Sequence, residues 1–559
     1  MITIPTTPPF GGATVADLLN GSTRFIYTAA ELAHALRQAR EAGLPVTIDP
    51  DTSTAVAPGN YIRVYAGSGP VLLMNAGKIT TPERAEFRRV LDNTPIVTHD
   101  AVALNLQFES YLGFTLPNTF CIKTAARLVE NGRGYEPDAY QIRYITERFA
   151  PTHKGEVSLR LYLPLWTNLS DAVNKAGLSV IWNVERLVAP VSARLTNLGI
   201  GVNRSGLAGL GDFHRAEAAA LGNTIAKALD TDATLDDDAA LQAALTSKGF
   251  ATASLKAENL DDLPDQLRED ISACRHHQTL ARYAAMYIAA IAEDGRIHPT
   301  WDPLGAVTGR ITATNPPVQS WPKGPEFRQC LIARPGYAIL RSDYNGADIR
   351  PLAFLSKDAR LIELLGREDI HREVAALLLD KAVGDVTDEN RKLSKAVFLS
   401  IVNGGGPELI SRKLDRDGAD ILSKFFGCFP GISRWQQQAR ESAASSKEVR
   451  TILGRRRLRN YKQDDSEWYR ASLNTPIQGT VADAIKLAMM MLSGSFQEDE
   501  GIVAVLHDEL IVEVRRERAE EMSALIKSVM ESQLALILPG IPVRAEASLL
   551  WAPEDGATP

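Results

Sequence analysis

Two aspartates stand where a carboxylate could serve as a metal ligand. Asp343 lies in GYAILRSDYNGADIRPLAFLSKD, where Tyr337 to Leu340 is a strand-forming run after a Pro-Gly turn. A helical pattern beginning near Asp348 and Arg350 follows, so Asp343 falls where a strand ends. Asp508 lies in GIVAVLHDELIVEV, where Ile502 to Leu506 and Leu510 to Val514 flank His507, Asp508 and Glu509. That pattern predicts a hairpin whose tip carries two carboxylates and an imidazole. A lone Asp in either setting is more often a helix cap or a turn residue. As neighbours, the two could hold a pair of Mg²⁺ ions about 3.5–4 Å apart, the arrangement that serves phosphoryl transfer to a hydroxyl. Mg²⁺ suits so few protein ligands because it keeps waters and takes substrate phosphates as well; Mn²⁺ can substitute.

A third segment supplies cations. In TDENRKLSKAVFLSIVNGGGPEL, Thr387 is placed to cap a helix that runs to about Val402, before Gly404 to Gly406. Arg391, Lys395 and Leu399 recur at i, i+4 and i+8 and share one stripe. Without acids at matching spacing the two cations make a poor salt-bridge lattice and a good triphosphate clamp, Arg as a planar fork and Lys as a point charge. Arg470, Asn474 and Gln478 repeat the same spacing in YRASLNTPIQGTVADAIKLAMM, as polar groups in an otherwise apolar run.

The chain that must position these residues has 559 of them, enough for two to four domains or subdomains. Up to about 185, β-like runs (Pro45 to Ile48, Tyr61 to Tyr65, Val71 to Met74) alternate with helical stretches, as in a small α/β domain. From about 186 to 300 the pattern is helical, broken by acidic stretches; beyond 300, strands and helices mix. A net charge of −7 does not advertise nucleic-acid binding, yet GRRRLRNYK (Arg455, Arg456, Arg457, Arg459, Lys462) and RKLSK concentrate positive charge locally. No apolar run approaches the ~20 residues of a membrane helix, and no basic-then-apolar leader opens the chain. The four cysteines, Cys121, Cys274, Cys330 and Cys428, form no CxxC pair, which fits a reducing cytoplasm and excludes a Cys-based zinc site.

With these segments in order, the chain resembles the family A DNA polymerases, the group of bacterial DNA polymerase I and many phage replicases. The likeness rests on SDYNGADIR, RKLSKAVFLSIVNGG and LHDEL, and on GAVTGRITATNPPVQSWP, EDIHREVAALLL and YRASLNTPIQGTVADAIKLAMM, and covers about 186 to 550. The resemblance implies dNTP addition to a primer 3′-hydroxyl with release of pyrophosphate. Asp343, Asp508 and the Tyr344 carbonyl would then face Mg²⁺. Arg391, Lys395 and His371 would hold the triphosphate, with Asp348, Leu399 and Asn403 around the incoming nucleotide. Arg310, Gln319, Arg470, Asn474, Gln478 and His507 would lie on primer-template DNA. The polar stripe would sense the minor groove, whose acceptor pattern is nearly independent of sequence.

The implied architecture is an N-terminal ribonuclease H-like, exonuclease-type α/β domain over 1–185 and a right-hand polymerase domain over 186–559. The palm would be 186–204, 296–354 and 446–559, the thumb about 205–295 and the fingers about 355–445. No segment is long enough for a 5′ nuclease domain, as in many phage-type members. Three departures stand out. Asp348 replaces the Glu usual at the sugar gate, which still favours deoxynucleotides but is one methylene shorter. Asn403 replaces a Tyr that stacks near the templating base, and Leu399 replaces an aromatic. In the N-terminal domain Asp49 and Asp51 remain of the first exonuclease motif, Leu104 stands at the second motif's acid with Glu109 the shifted alternative, and the third motif is absent around Lys154 to Glu156. Weak or absent proofreading is therefore expected.

Overall fold

The computed structural model describes residues 23–25, 29–42, 46–50, 61–66, 71–92, 94–133, 140–153, 159–231, 238–250, 260, 263–367, 369–414 and 416–551. Pro45, Asp51 and the Lys154 to Glu156 stretch lie outside the described residues.

The N-terminal third forms a six-stranded mixed sheet. Its order is Thr23–Phe25, Val71–Asn75, Tyr61–Tyr65, Val46–Pro50, Ile96–Thr98, Thr119–Cys121. Val46–Pro50 runs antiparallel to Tyr61–Tyr65 on one side and parallel to Ile96–Thr98 on the other. The strand-like runs of the sequence thus fall on strands. Val46, Ile48, Ile62, Val64 and Ile96 are buried in a core with helix residues Leu32, Leu36, Phe87, Val90, Leu104 and Phe108, which is why these short β-branched runs pay off as a sheet.

The helix Ser179–Leu198 joins this unit to the rest by packing on the helix Ala101–Leu112 and on the long helix Asp465–Ser493. Next come two long helices, Arg204–Ala228 and Asp265–Ala289, which pack along each other with Asp238–Ser247 between them in sequence. A run of helices from Ile349–Ser356 to Pro430–Ser445 forms a second helical excursion.

Between these excursions lies a four-stranded antiparallel sheet, ordered Gly501–Leu506, Glu509–Arg515, Tyr337–Tyr344, Ala545–Trp551. The helices Asp465–Ser493 and Ala519–Ile537 contribute Val481, Ile485, Met522, Ile526 and Met530 to the core beneath it. Asp464 and Glu467 form a reciprocal capping box at the start of Asp465–Ser493. Of the basic run GRRRLRNYK, Arg455 is not a surface cation: it is fully buried and pairs with Asp483 at 2.7 Å and with Glu185 at 2.5 Å. Lys486 and Thr451 complete that buried cluster, which ties the joining helix to the sheet layer. The four cysteines are unpaired. No helix among the described residues is long and apolar enough to cross a membrane.

Candidate active site

Asp343 is the penultimate residue of its strand and pairs in register with Glu509 on the neighbouring strand. It therefore caps no helix. Glu509 opens that neighbouring strand and is not part of the hairpin tip, which consists of His507 and Asp508 alone. His507 takes a φ of 65°, a conformation that costs a residue with a Cβ and is normally left to Gly in two-residue hairpins. With the register fixed, the turn brings the Asp508 carboxyl within hydrogen-bonding reach of Asp343. Burial, then the Asp508 and Glu509 carboxylates, push Asp343 up to about 7.

Glu509 is already satisfied: it accepts from Arg328 at 3.1 and 2.8 Å. Asp343 Oδ1, by contrast, is buried with no hydrogen-bond partner. Among the described residues no group of three or more His, Cys, Asp or Glu is arranged to hold a metal. A cation here would meet the carboxylates of Asp343 and Asp508, hard oxygen ligands of the kind Mg²⁺ takes together with water and phosphate. The cleft over the pair measures about 180 Å³ and is also lined by Lys323, Arg328 and Arg341. Tyr344 is buried and donates its hydroxyl to the Met530 carbonyl at 2.8 Å.

The cations face the acids. Asp348 stands just before the helix Ile349–Ser356 without capping it. Burial raises its pKa, opposed by Arg310 at 3.9 Å, with Asp508 raising it further and Lys395 lowering it. One short side chain thus senses both the Asp508 carboxylate and the cationic helix. That helix spans Asp388–Val402 and Thr387 caps it, accepting from the Asn390 N–H at 3.1 Å, as the sequence predicts. His371, on the helix Ile370–Leu379, is buried, and burial with Lys395 and Arg391 lowers it to about 4. It is a neutral imidazole with Nδ1 unpaired.

Asp369 was not singled out in the sequence. Its Oδ1 caps the helix of His371 and its Oδ2 holds Arg391 Nε at 2.5 Å. The Asp before an apolar helical run signals the cap; nothing in the sequence signals the arginine 22 positions away.

Leu399 is half-buried against the main core, and Asn403 occupies the helix C-terminus before Gly404 at φ 83°. A Cβ on Gly404 would lie 3.1 Å from Leu473 and 3.7 Å from Arg470, so this helix end abuts the long helix closely. On that long helix, from Ala471 to Lys486, only Asn474 and Gln478 are not buried; Arg470, one turn earlier, is exposed. The stripe read from spacing is therefore the least-buried face of this stretch of the helix. Gln319 lines the cleft, but its amide is committed to backbone, donating to Ile311 O at 2.7 Å and Val505 O at 3.0 Å. His507 is exposed beside Arg310 and Lys323, whose charges add to partial burial in lowering its pKa.

In the N-terminal sheet, Asp49 is buried and accepts from Tyr162 Oη at 2.8 Å and Thr98 Oγ1 at 3.1 Å, with Arg63 at 3.4 Å. Leu104 is fully buried in the core, and Glu109 pairs with Arg194 at 3.2 Å. Among the described residues no group of three or more His, Cys, Asp or Glu around Asp49 could hold a metal ion.

The architecture is the mixed α/β fold of a polymerase domain. The chain superimposes on the POL domain of Pol1 from M. smegmatis, solved in complex with DNA primer-template and dNTP, with a TM-score of 0.83 and 22% identity over 95% of this chain and 98% of that one. Residues 215–551 match the model of DNA polymerase family A, and the chain belongs to that family. It is 31% identical to DNA polymerase I of Chloroflexus aurantiacus over 327 residues, 55% of this chain and 34% of that protein. It is 26% identical to DNA polymerase I of Pseudomonas aeruginosa over 416 residues, 69% and 45% respectively. The chain spans less than half the length of these relatives.

Proposed function

We propose that this chain is a template-directed DNA polymerase that adds dNTPs to a primer 3′-hydroxyl. The observation that carries the reading is the register of Asp343 with Glu509, which sets two carboxylates side by side opposite a helix bearing Arg391 and Lys395. On this reading the sheet is the palm, the helices of 205–295 the thumb and those of 355–445 the fingers. Two Mg²⁺ ions held by Asp343, Asp508 and the Tyr344 carbonyl would lower the pKa of the 3′-hydroxyl and neutralise the departing pyrophosphate. Arg391 and Lys395 grip the triphosphate and align its α-phosphorus for in-line attack, where catalysis is mostly positioning and charge stabilisation. Arg310, Asn474 and Gln478 then hold the primer-template, and Asp348 the sugar. The bound primer-template and dNTP of the M. smegmatis domain support these partners. Primer extension with Mg²⁺ and dNTPs tests the proposal: wild type extends, Asp508→Ala does not. Extension by neither would end it.

Asp348 sets a second expectation. Its carboxyl is drawn toward Arg310, one methylene short of where the family's Glu would reach. Asp348→Glu should therefore reject ribonucleotides more strongly, by about 10-fold or less for a one-methylene difference. Competing rNTP and dNTP insertion measures it; equal discrimination in the two proteins would show that the missing methylene does not loosen sugar selection.

The N-terminal sheet order supports descent from a ribonuclease H-like exonuclease whose remaining acid, Asp49, is taken up by Tyr162, Thr98 and Arg63. A mismatched primer 3′ end should remain undigested. Asp49→Ala should instead cost roughly 1–3 kcal/mol of stability by stranding buried donors. Digestion that Asp49→Ala abolishes would show a working exonuclease.

A further inference from the structure

A second cleft, of about 430 Å³, lies between the N-terminal domain and the hairpin Glu448–Arg450/Arg456–Leu458. Its walls are fixed. Leu458 N donates to Asn131 O at 2.8 Å, and Asn131 Nδ2 donates to the carbonyls of Arg456 at 2.7 Å and Val307 at 2.9 Å. Gly132, at φ 91°, lets the two walls meet: a Cβ there would lie 2.4 Å from the Leu458 carbonyl.

The lining is cationic. Arg133, Arg457 and Lys462 face it, and among the described residues none of the three has a carboxylate partner. Glu130, the acid in the lining, is neutralised by Arg148 at 2.8 Å and accepts from the Tyr144 hydroxyl at 2.9 Å. Arg127 is spent on Asp302. Unpaired positive charge gathered in one cleft of a chain with net charge −7 is a local field that attracts anions. At its rim Tyr461 is 82% exposed, with the Lys462 ammonium 5.7 Å from its ring. A bare aromatic ring beside a basic groove is the combination that binds single strands, the ring stacking a base and the cations tracking phosphates.

The cleft also adjoins the polymerase site. Arg457 donates to Thr475 Oγ1 at 3.3 Å, next to Asn474, and the loop of Leu304 to Val307 continues to Arg310. Tyr461 lies just before the long helix, on the Arg470 side of the stripe, and Arg470 abuts Gly404 at the end of the cationic helix. The strand still unpaired beside an incoming nucleotide is the template. Resting on the polymerase reading above, we infer that this cleft binds single-stranded DNA, the uncopied template beyond Arg470, with a base stacked on Tyr461 and phosphates held by Arg133, Arg457 and Lys462.

The test compares dissociation constants of one duplex carrying a 5′ template overhang of one or about ten nucleotides. The longer overhang should bind about tenfold more tightly, the scale of one stacked base. Arg133→Ala/Tyr461→Ala/Lys462→Ala should lose that gain, keep the short-overhang affinity and insertion rate, and flatten the log Kd against log salt slope for the long overhang by about 1.4, two cations' share. Tyr461→Phe should retain the gain. Three results would overturn the inference: no gain in wild type, a gain that survives the triple variant, or a gain that follows a 3′ extension of the primer instead. If wild type fails to insert even on the short-overhang duplex, the polymerase reading itself has failed.

Discussion

Asp343→Asn is expected to slow single-turnover nucleotide insertion by about 10³-fold or more while making the metal-free protein more stable. The loss is of the size seen when one positioned charge is removed from a phosphoryl-transfer site. Asn keeps the shape of the side chain, so DNA affinity should hardly change, and Asp508→Ala should behave alike in rate. The gain in stability has a separate cause. Asp343 is buried beside Asp508 and Glu509, and these surroundings raise it to about 7 from an ordinary 3.8. The folded state therefore prefers the protonated acid. The penalty of holding it ionised is absent below about pH 4, grows as pH rises toward 7, and is complete above that. In EDTA at pH 8 the Asn variant should melt higher than wild type, and the difference should fade by pH 4. Thermal melts at both pH values, beside stopped-flow insertion, read the two effects. A variant that loses rate and melts lower at pH 8 would mean Asp343 is a structural residue and not one held for a cation.

Local patterns in the sequence carried far, and their reach ended where distant segments meet. The strand before Asp343, the hairpin around Asp508 and the Thr387 cap follow from alternation, turn chemistry and capping, all settled within a few residues. The polar stripe of Arg470, Asn474 and Gln478 was legible for the same reason, since helix spacing alone puts it on one face. That Asp343 meets Glu509, 166 positions away, is a matter of strand pairing, and no single-strand pattern specifies a partner. Resemblance supplied what periodicity could not. Arg455 shows the converse: in a basic run it reads as a surface charge, and only the tertiary arrival of Glu185 and Asp483 makes it a buried one. Asp369 was hidden for a similar reason, its partner lying on another helix.

That last ion pair makes opposite predictions for two substitutions on the cationic helix and its neighbour. Without nucleotide, Arg391 Nε rests on Asp369 Oδ2 at 2.5 Å, while Lys395 is exposed and unpaired by any carboxylate among the described residues. A triphosphate must therefore win Arg391 from Asp369 but finds Lys395 free. Lys395→Ala should cost on the order of 10²–10³-fold in insertion rate, the loss of one preorganised charge from the transition state. Arg391→Ala should chiefly weaken dNTP binding, by about tenfold, since its fork is shared with a competing acid in the free protein. Asp369→Asn should do the reverse. Asn caps the helix of His371 as well as Asp does, so the fold is kept while the competitor's charge goes. A half-exposed ion pair of this kind is worth about 0.2–1 kcal/mol, so dNTP affinity should tighten by roughly 1.5- to 5-fold. Pre-steady-state titration with one dNTP separates the three, as each insertion rate and each apparent Kd is read from one curve. If Asp369→Asn weakens nucleotide binding as Arg391→Ala does, Asp369 holds Arg391 ready for the triphosphate and does not compete for it.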